Sequence, residues 1–284
     1  MNIGIGFPAM IPGAGRQLIL EWARRADQGP FSSLGLTDRV AYGNHDPLIA
    51  LAAAAAVTER IRLMTTVLLA PTRPAGILAK QAASLDALSG GRLTLGLGIG
   101  SREDDYRAAP ASFRDRGRRF EQQLEVMHRA WSGQEVGEGA GRIGPPPVQP
   151  GGPEVLIGGY SPAAVARVGR WGRGYITGGG ADPERAASLY AIAEEAWRSA
   201  GREGRPRFVG AAYYALGPDA AERGGAYLRD YYGSFAERIS LLSSDQELRS
   251  VVAAAPGVGM DEIVLWATVA ELDQVDRLAE IVAG

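Results

Sequence analysis

The chain of 284 residues contains no cysteine. That removes disulfides, thiolate nucleophiles, iron–sulfur clusters and cysteine-based zinc sites. It has two histidines, His45 and His128, far apart in sequence. A histidine-rich metal centre is excluded, and a Ser-His-Asp triad would have to use one of these two. Long apolar runs are also missing: residues 48–57 fall well short of the roughly 20 that cross a bilayer. No signal-peptide pattern opens the chain, so the expectation is a cytoplasmic protein with no membrane partner. The formal net charge is −2 and no basic stripe stands out, which sets nucleic acid aside. An enzyme built from this chain would draw its reactivity from an organic cofactor.

Apolar residues are plentiful. They make up 46% of the sequence, ample for a large core. The stretch that organises the rest is residues 86–100. Gly90 and Gly91 can take positive φ and close a helix at little steric cost. Residues 92–97 read as a short strand buried on both faces, running into Gly96, Gly98 and Gly100. Glycines at the carboxyl end of a strand let a flat or charged group approach the backbone, although a tight turn would use them equally. The spacing is not the dinucleotide fingerprint, because the third glycine comes too early.

Taken in order, the chain alternates strand with helix. Strands are expected over residues 2–7, 33–37, 61–67, 92–97, 154–157, 174–177, 207–216 and 262–266. Helices are expected over 16–27, 48–57, from Pro74 to Gly90, over 114–131, 163–170, from Asp182-Pro183 through Gly201, and over 272–282, with helical segments filling 219–255. Asp46-Pro47 is a cap followed by proline at the first helical position. Residues 133–152 are rich in glycine and proline and read as an insertion or lid after the fourth helix. Eight strands each followed by a helix is the pattern of a single (β/α)8 TIM barrel over 1–284, an α/β fold; a doubly wound open sheet is the alternative.

On a barrel the strand ends converge on one mouth. They would bring together Asp38-Arg39, Thr65-Thr66-Val67, Gly98-Ile99-Gly100, Gly158-Gly159-Tyr160-Ser161, Gly178-Gly179-Gly180 and Trp266. A lining of glycine and apolar groups suits a large flat ring. Gly158 to Ser161 offers backbone amides and a hydroxyl at a helix start, which would attract an anion; an ordinary capped βα turn would look the same. Asp38, Arg39 and His45 are the candidates for positioning substrate or moving protons. His128 reads as structural, and Asp104-Asp105 as solvated residues near a helix start.

At this point the residues resemble a known family, the bacterial luciferase-like flavin and deazaflavin oxidoreductases. The similar stretches are Ile3-Gly4-Ile5, Leu36-Thr37-Asp38-Arg39, the strand Arg60-Ile61-Arg62-Leu63, Leu88-Ser89-Gly90-Gly91-Arg92 with its glycine strand, and Ile157-Gly158-Gly159. The resemblance implies a (β/α)8 barrel, a homodimer, and a flavin in the mouth. Thr65, Thr66 and Val67 would lie against the ring, with a cis peptide at Thr66-Val67. Gly98, Ile99 and Gly100 would flank it, and Gly158, Gly159, Tyr160 and Ser161 would hold its phosphate. Asp38 stands where luciferases proper place a histidine. Ser101 and Arg39 stand where deazaflavin sugar-phosphate dehydrogenases carry a glutamate and a histidine. The activity implied is a flavin-dependent monooxygenase using reduced FMN and O2 on a small carbonyl, aromatic or aldehyde substrate, served by a separate flavin reductase. Hydride transfer with the 8-hydroxy-5-deazaflavin coenzyme, or a non-catalytic flavin-binding barrel, are the other readings.

Overall fold

The computed structural model describes residues 1–139, 141–179 and 183–283. Nine parallel strands form one sheet: β1 (Asn2–Gly6), β2 (Ser33–Leu36), β3 (Arg62–Leu69), β4 (Leu93–Gly98), β5 (Glu154–Gly158), β6 (Gly174–Ile176), β7 (Arg207–Tyr214), β8 (Leu241–Leu242) and β9 (Glu262–Ala267). The sheet closes on itself. β1 pairs with both β2 and β9, and β7 pairs with both β6 and β9, so eight strands make the ring. The (β/α)8 barrel is therefore the architecture, and the open sheet is excluded.

Helices alternate with the strands: α1 (Arg16–Gln28), α2 (Pro47–Ala55), α3 (Ala75–Leu88), α4 (Glu103–Ala108), α5 (Arg116–Trp131), α6 (Pro162–Val165), α7 (Arg167–Trp171), α8 (Pro183–Ser199), α9 (Ala220–Tyr232), α10 (Asp245–Ala254) and α11 (Asp273–Ala283). Local chemistry sets their ends. The Asp46 carboxylate accepts from the amides of Leu48 and Ile49 at 2.9 and 3.1 Å, and Pro47 needs no donor there. Gly90 and Gly91 take φ of +66° and +83° beyond α3. Just past them Arg92 donates to the Thr58, Ile61 and Ala55 carbonyls, tying the start of β4 to the end of α2. The Asp182 half of the expected Asp182-Pro183 cap lies outside the described residues.

Two expectations need correction. The region 219–255 is not all helix. β6 covers only Arg207–Val209 of β7, and β8 fills the open edge opposite Tyr213 and Tyr214. The polar residues after β4 wind into a short helix, α4, and the glycine- and proline-rich insertion follows α5, the helix expected over 114–131. That insertion is bound along the outside of α3. Lys80 donates to the Gly144 carbonyl at 2.8 Å, and Asp86 accepts from the Val148 and Gln149 amides at 2.7 and 3.0 Å.

The foot of the barrel is closed by charge rather than by apolar packing. Arg207 bridges Glu262 and Glu154, Glu262 also accepts from Ser32 and Ser33, and Glu154 from Thr94. These groups come from β2, β4, β5, β7 and β9. Each inward charge thus meets an opposite charge or a hydroxyl, which is what makes burial tolerable. The opposite end is left for the site.

Candidate active site at the barrel mouth

β3 is the irregular strand. Its register to β4 shifts between Thr65 and Leu68, and the Thr66–Val67 peptide is cis. The shift turns the Val67 side chain against β4 and β5. A Cβ built on Gly98 would stand 2.7 Å from Val67 Cγ2, and one on Gly158 would stand 2.7 Å from Cγ1. A Cβ on Gly96 would stand 2.1 Å from the Thr65 carbonyl oxygen, and Thr65 Oγ1 donates to the Gly96 carbonyl at 2.7 Å. The glycines of β4 are therefore needed first by the protein's own bulge. Gly100, with φ of +67°, faces Leu69 in the same way.

Trp266 forms the floor. Its ring reaches the open positions beside Gly6, Gly35 and Gly179, so it spans from β1 and β2 across to the end of β6. Thr66 approaches the same Gly35 from β3. Thr66 Oγ1 and Trp266 Nε1 are buried and have no hydrogen-bond partner among the described residues. Two orphaned polar atoms, at the ends of different strands and beside glycines, fit a planar heterocycle with polar edges. A purely apolar plug would leave both unsatisfied.

The wall between β7 and α9 is aromatic. Tyr213 lies 4.9 Å from Trp266 between ring centroids, and its hydroxyl is 2.8 Å from that of Tyr232. Tyr231 follows, with Arg102 at 4.7 Å over its ring and donating to its carbonyl at 2.6 Å. Burial holds the Tyr213 phenol well above its ordinary pKa and lifts Tyr231 to about 12. These phenols stay protonated across the working pH range, as hydrogen-bond donors rather than bases. The sequence reading named Trp266 but missed Tyr213, Tyr231 and Tyr232. The last two sit on a helix that reaches the mouth only through tertiary packing.

The three expected catalytic candidates are held by other groups. Asp38 is 4% exposed and takes Arg73 at 2.6 Å and the Leu69 amide at 2.9 Å. Burial raises its pKa, against the pull of Arg73. Arg39 does not pair with Asp38. Its guanidinium meets Asp105 at 2.9 Å and Asp104 at 2.8 Å. Asp105 also accepts from the Val40 and Ala41 amides at 2.8 Å each, so it is a buried organiser of the loop after β2 rather than a solvated residue. His45 Nε2 lies 2.9 Å from the Ala14 carbonyl and its amide donates to the Ala9 carbonyl, binding this loop to the one after β1. His128 stacks on Trp171 on the outside of the barrel, the structural role expected of it.

Across the mouth, Gly158 ends β5 and Gly159 packs under Ala164, whose Cβ leaves only 2.5 Å to a Cβ at Gly159. Ser161 Oγ accepts from the Ala164 amide at 3.2 Å, capping α6. Tyr160 is 52% exposed, and its hydroxyl lies over Gly178. Arg185 sits 5.8 Å from the Tyr160 ring. Ile99 contributes its carbonyl to Tyr106. Gly180 lies outside the described residues. No group of three metal-ligating side chains occurs among the described residues, and no helix there is long and apolar enough to cross a membrane.

The sequence profile described as luciferase-like monooxygenase matches residues 3–283. The chain belongs to that family. Among its relatives, the uncharacterized protein Rv0940c of Mycobacterium tuberculosis is 31% identical over 210 residues, 63% of this chain and 71% of that one. Monooxygenase RslO1 from Streptomyces bottropensis superposes with a TM-score of 0.79 at 22% identity, covering 100% of this chain and 98% of its own. An F420-dependent secondary alcohol dehydrogenase, solved with an F420–acetone adduct, gives 0.83 at 17% identity, covering 99% and 97%. A monooxygenase and an F420-dependent dehydrogenase thus superpose on this barrel alike. The barrel alone does not choose between cofactors.

Proposed function

We propose that this luciferase-like protein is a flavin-dependent monooxygenase using reduced FMN and O2 on a small carbonyl, aromatic or aldehyde substrate. One observation carries the choice. Oxidising an alcohol by hydride removal requires a base for the hydroxyl proton. Among the described residues, the nearby carboxylates Asp38 and Asp105 are committed to Arg73 and Arg39, and His45 to a carbonyl. The mouth offers phenols instead. RslO1, a monooxygenase by name, shares the fold, which is compatible with this reading. The likeness to the F420-dependent dehydrogenase makes the 8-hydroxy-5-deazaflavin coenzyme the second.

Bound reduced FMN would supply the electrons that activate O2. Thr65, Thr66, Val67 and Gly98 to Gly100 would lie against its ring, and Gly158, Gly159, Tyr160 and Ser161 would hold its phosphate. Trp266 and Tyr213 close the floor against water, which strengthens every polar contact above them. Thr66 and Trp266 would offer an O–H and an N–H to the bound ring. A separate flavin reductase would deliver the cofactor in the cytoplasm.

The outward faces of α2 and α3 expose Ile49 at 68%, Ile77 at 54% and Leu88 at 75%. α2 carries no charged residue. An apolar face of this kind would be covered by a second copy of the chain. The test of function is titration with oxidised FMN, reduced FMN and the deazaflavin coenzyme, with oxygen uptake followed alongside. Micromolar binding of reduced FMN with oxygen consumption is expected. Preferential deazaflavin binding without oxygen uptake would overturn the proposal.

A further inference from the structure

Five oxidisable rings run without a gap from the barrel axis to the surface. Trp266, 1% exposed, is 4.9 Å from Tyr213. Tyr213 and Tyr232 are 6.0 Å apart at their centroids and share a hydrogen bond of 2.8 Å. Tyr232 is 4.9 Å from Tyr231, and Tyr231 is 5.2 Å from Tyr42. At the outer end, Tyr42 donates its hydroxyl proton to the exposed Asp230 at 2.5 Å.

We propose that Trp266, Tyr213, Tyr232, Tyr231 and Tyr42 form a hole-transfer path that carries a one-electron oxidation out of the mouth to the protein surface. The purpose of the path rests on the oxygen-using reading above; the path itself does not. The oxidant is an oxygen-derived radical arising in the mouth. It takes one electron from Trp266 and, with a solvent proton, becomes a closed-shell product. Each ring is refilled by the next one outward. The vacancy comes to rest on Tyr42, whose O–H bond breaks as the proton passes to the Asp230 carboxylate and on to solvent. A thiol from solution then gives its hydrogen atom to the Tyr42 oxygen, breaking S–H, forming O–H and leaving as a thiyl radical. The net change is reduction of one radical by one thiol, with the protein unchanged.

The charges favour the outer end. Arg102 lies over both Tyr231 and Tyr232, which disfavours a positive vacancy resting on either. Arg39 lies over Tyr231 and Tyr42, but Asp104 and Asp105 already meet its charge. Among the described residues, Tyr42 is the one phenol of the series with a hydrogen bond to a carboxylate, which can take its proton.

The experiment is pulse radiolysis of the cofactor-free full chain with azide radical, a small oxidant selective for tryptophan. In the wild type, part of the tryptophanyl absorption should decay into tyrosyl absorption at a rate independent of protein concentration. Trp266→Phe and Tyr232→Phe should each remove that phase. Tyr42→Phe should leave the phase but change the freeze-trapped electron paramagnetic resonance signal, because the hydrogen-bonded terminal phenoxyl is gone. Tyr232→Phe keeps the ring and removes one hydroxyl, and its urea midpoint reports that it is folded. An unchanged phase in both Trp266→Phe and Tyr232→Phe would overturn the path. Failure of the functional reading shows separately, as no oxygen uptake with reduced FMN, while the radiolysis result stands.

Discussion

The glycines of β4 can be tested by asking what they make room for. Gly98→Ala would place a methyl 2.7 Å from Val67 Cγ2, where ordinary contact begins at 3.4 Å. Val67 cannot simply turn, because Cγ1 is already pressed on Gly158 and Gly96. Overpacking of this size costs about 2 kcal/mol, within the ~1–3 kcal/mol usual for added methylenes in a packed core. Val67→Ala alone loses part of the burial of two methyls, about 1 kcal/mol. If the residues were independent, the double variant would lose about 3 kcal/mol by simple addition. If the glycine exists for Val67, truncating Val67 vacates the space and the double variant should lose about 1 kcal/mol. That is a favourable coupling of about 2 kcal/mol. Urea unfolding of the four proteins measures it, with the slope confirming a common unfolding reaction. An additive double variant would refute the argument. So would a Gly98→Ala protein of unchanged stability that had lost only FMN affinity, for the glycine would then serve the ligand alone.

Four further outcomes follow from particular contacts. Asp27 accepts from the amides of Glu59, Arg60 and Ile61; burial works to raise its pKa, but these bonds outweigh it and the net shift is downward. Its contribution is therefore present above the unfolded carboxylate pKa of about 3.9 and is lost as pH falls through the lower folded value; Asp27→Asn should cost about 1–3 kcal/mol near neutrality, with the gap narrowing only below about pH 4 in urea melts. Asp105→Ala strips Arg39 of its buried partner and should cost about 3 kcal/mol by the same assay, whereas a loss below about 1 kcal/mol would mean that Asp104 suffices. Ser161→Ala should weaken FMN about tenfold, the loss of one charge-assisted hydrogen bond, and leave riboflavin affinity within about twofold; an equal fall for both ligands would remove Ser161 from phosphate binding. Ile49→Asp with Leu88→Asp should convert a dimer to monomer in analytical ultracentrifugation, and a wild type that is already monomeric would refute the α2–α3 interface.

The barrel was legible because its strands are short apolar runs with period and punctuation intact. Residues 92–97 between Gly91 and Gly98 are the plainest case. β8 was not legible. Two leucines carry no periodic signal, and their strand exists only because β6 stops early and leaves an edge of β7 to be paired. The charged foot was hidden for a related reason. Arg207, Glu154 and Glu262 are single charges at strand starts, each of which reads as solvent-facing until the closed ring brings them together. At the mouth, the glycine run was found but its first tenant was not, since nothing in Gly96 or Gly98 announces that Val67 will turn toward them. The resemblance supplied the Thr66–Val67 bond, and the structure bears it out.

The charges around the mouth divide in a way that bears on chemistry. Asp38 and Asp46 hold Arg73, and Asp104 and Asp105 hold Arg39, so four carboxylates are tied to two guanidiniums in the segments after β2, β3 and β4. Through the Leu69 amide this network fixes the exit of the bulged strand, and through Val40 and Ala41 it fixes the loop that carries Tyr42. The charged residues there work as scaffold. What they leave facing the floor are an indole N–H, a threonine hydroxyl and hydrogen-bonded phenols, groups that donate but do not readily take a proton at neutral pH. A site so furnished can orient an oxygen or a ring edge and exclude water, while the bond-making power must come from the group it binds. Asp38 and Arg39, conspicuous in the sequence at a strand end, are built into this scaffold, one holding Arg73 and the other Asp105.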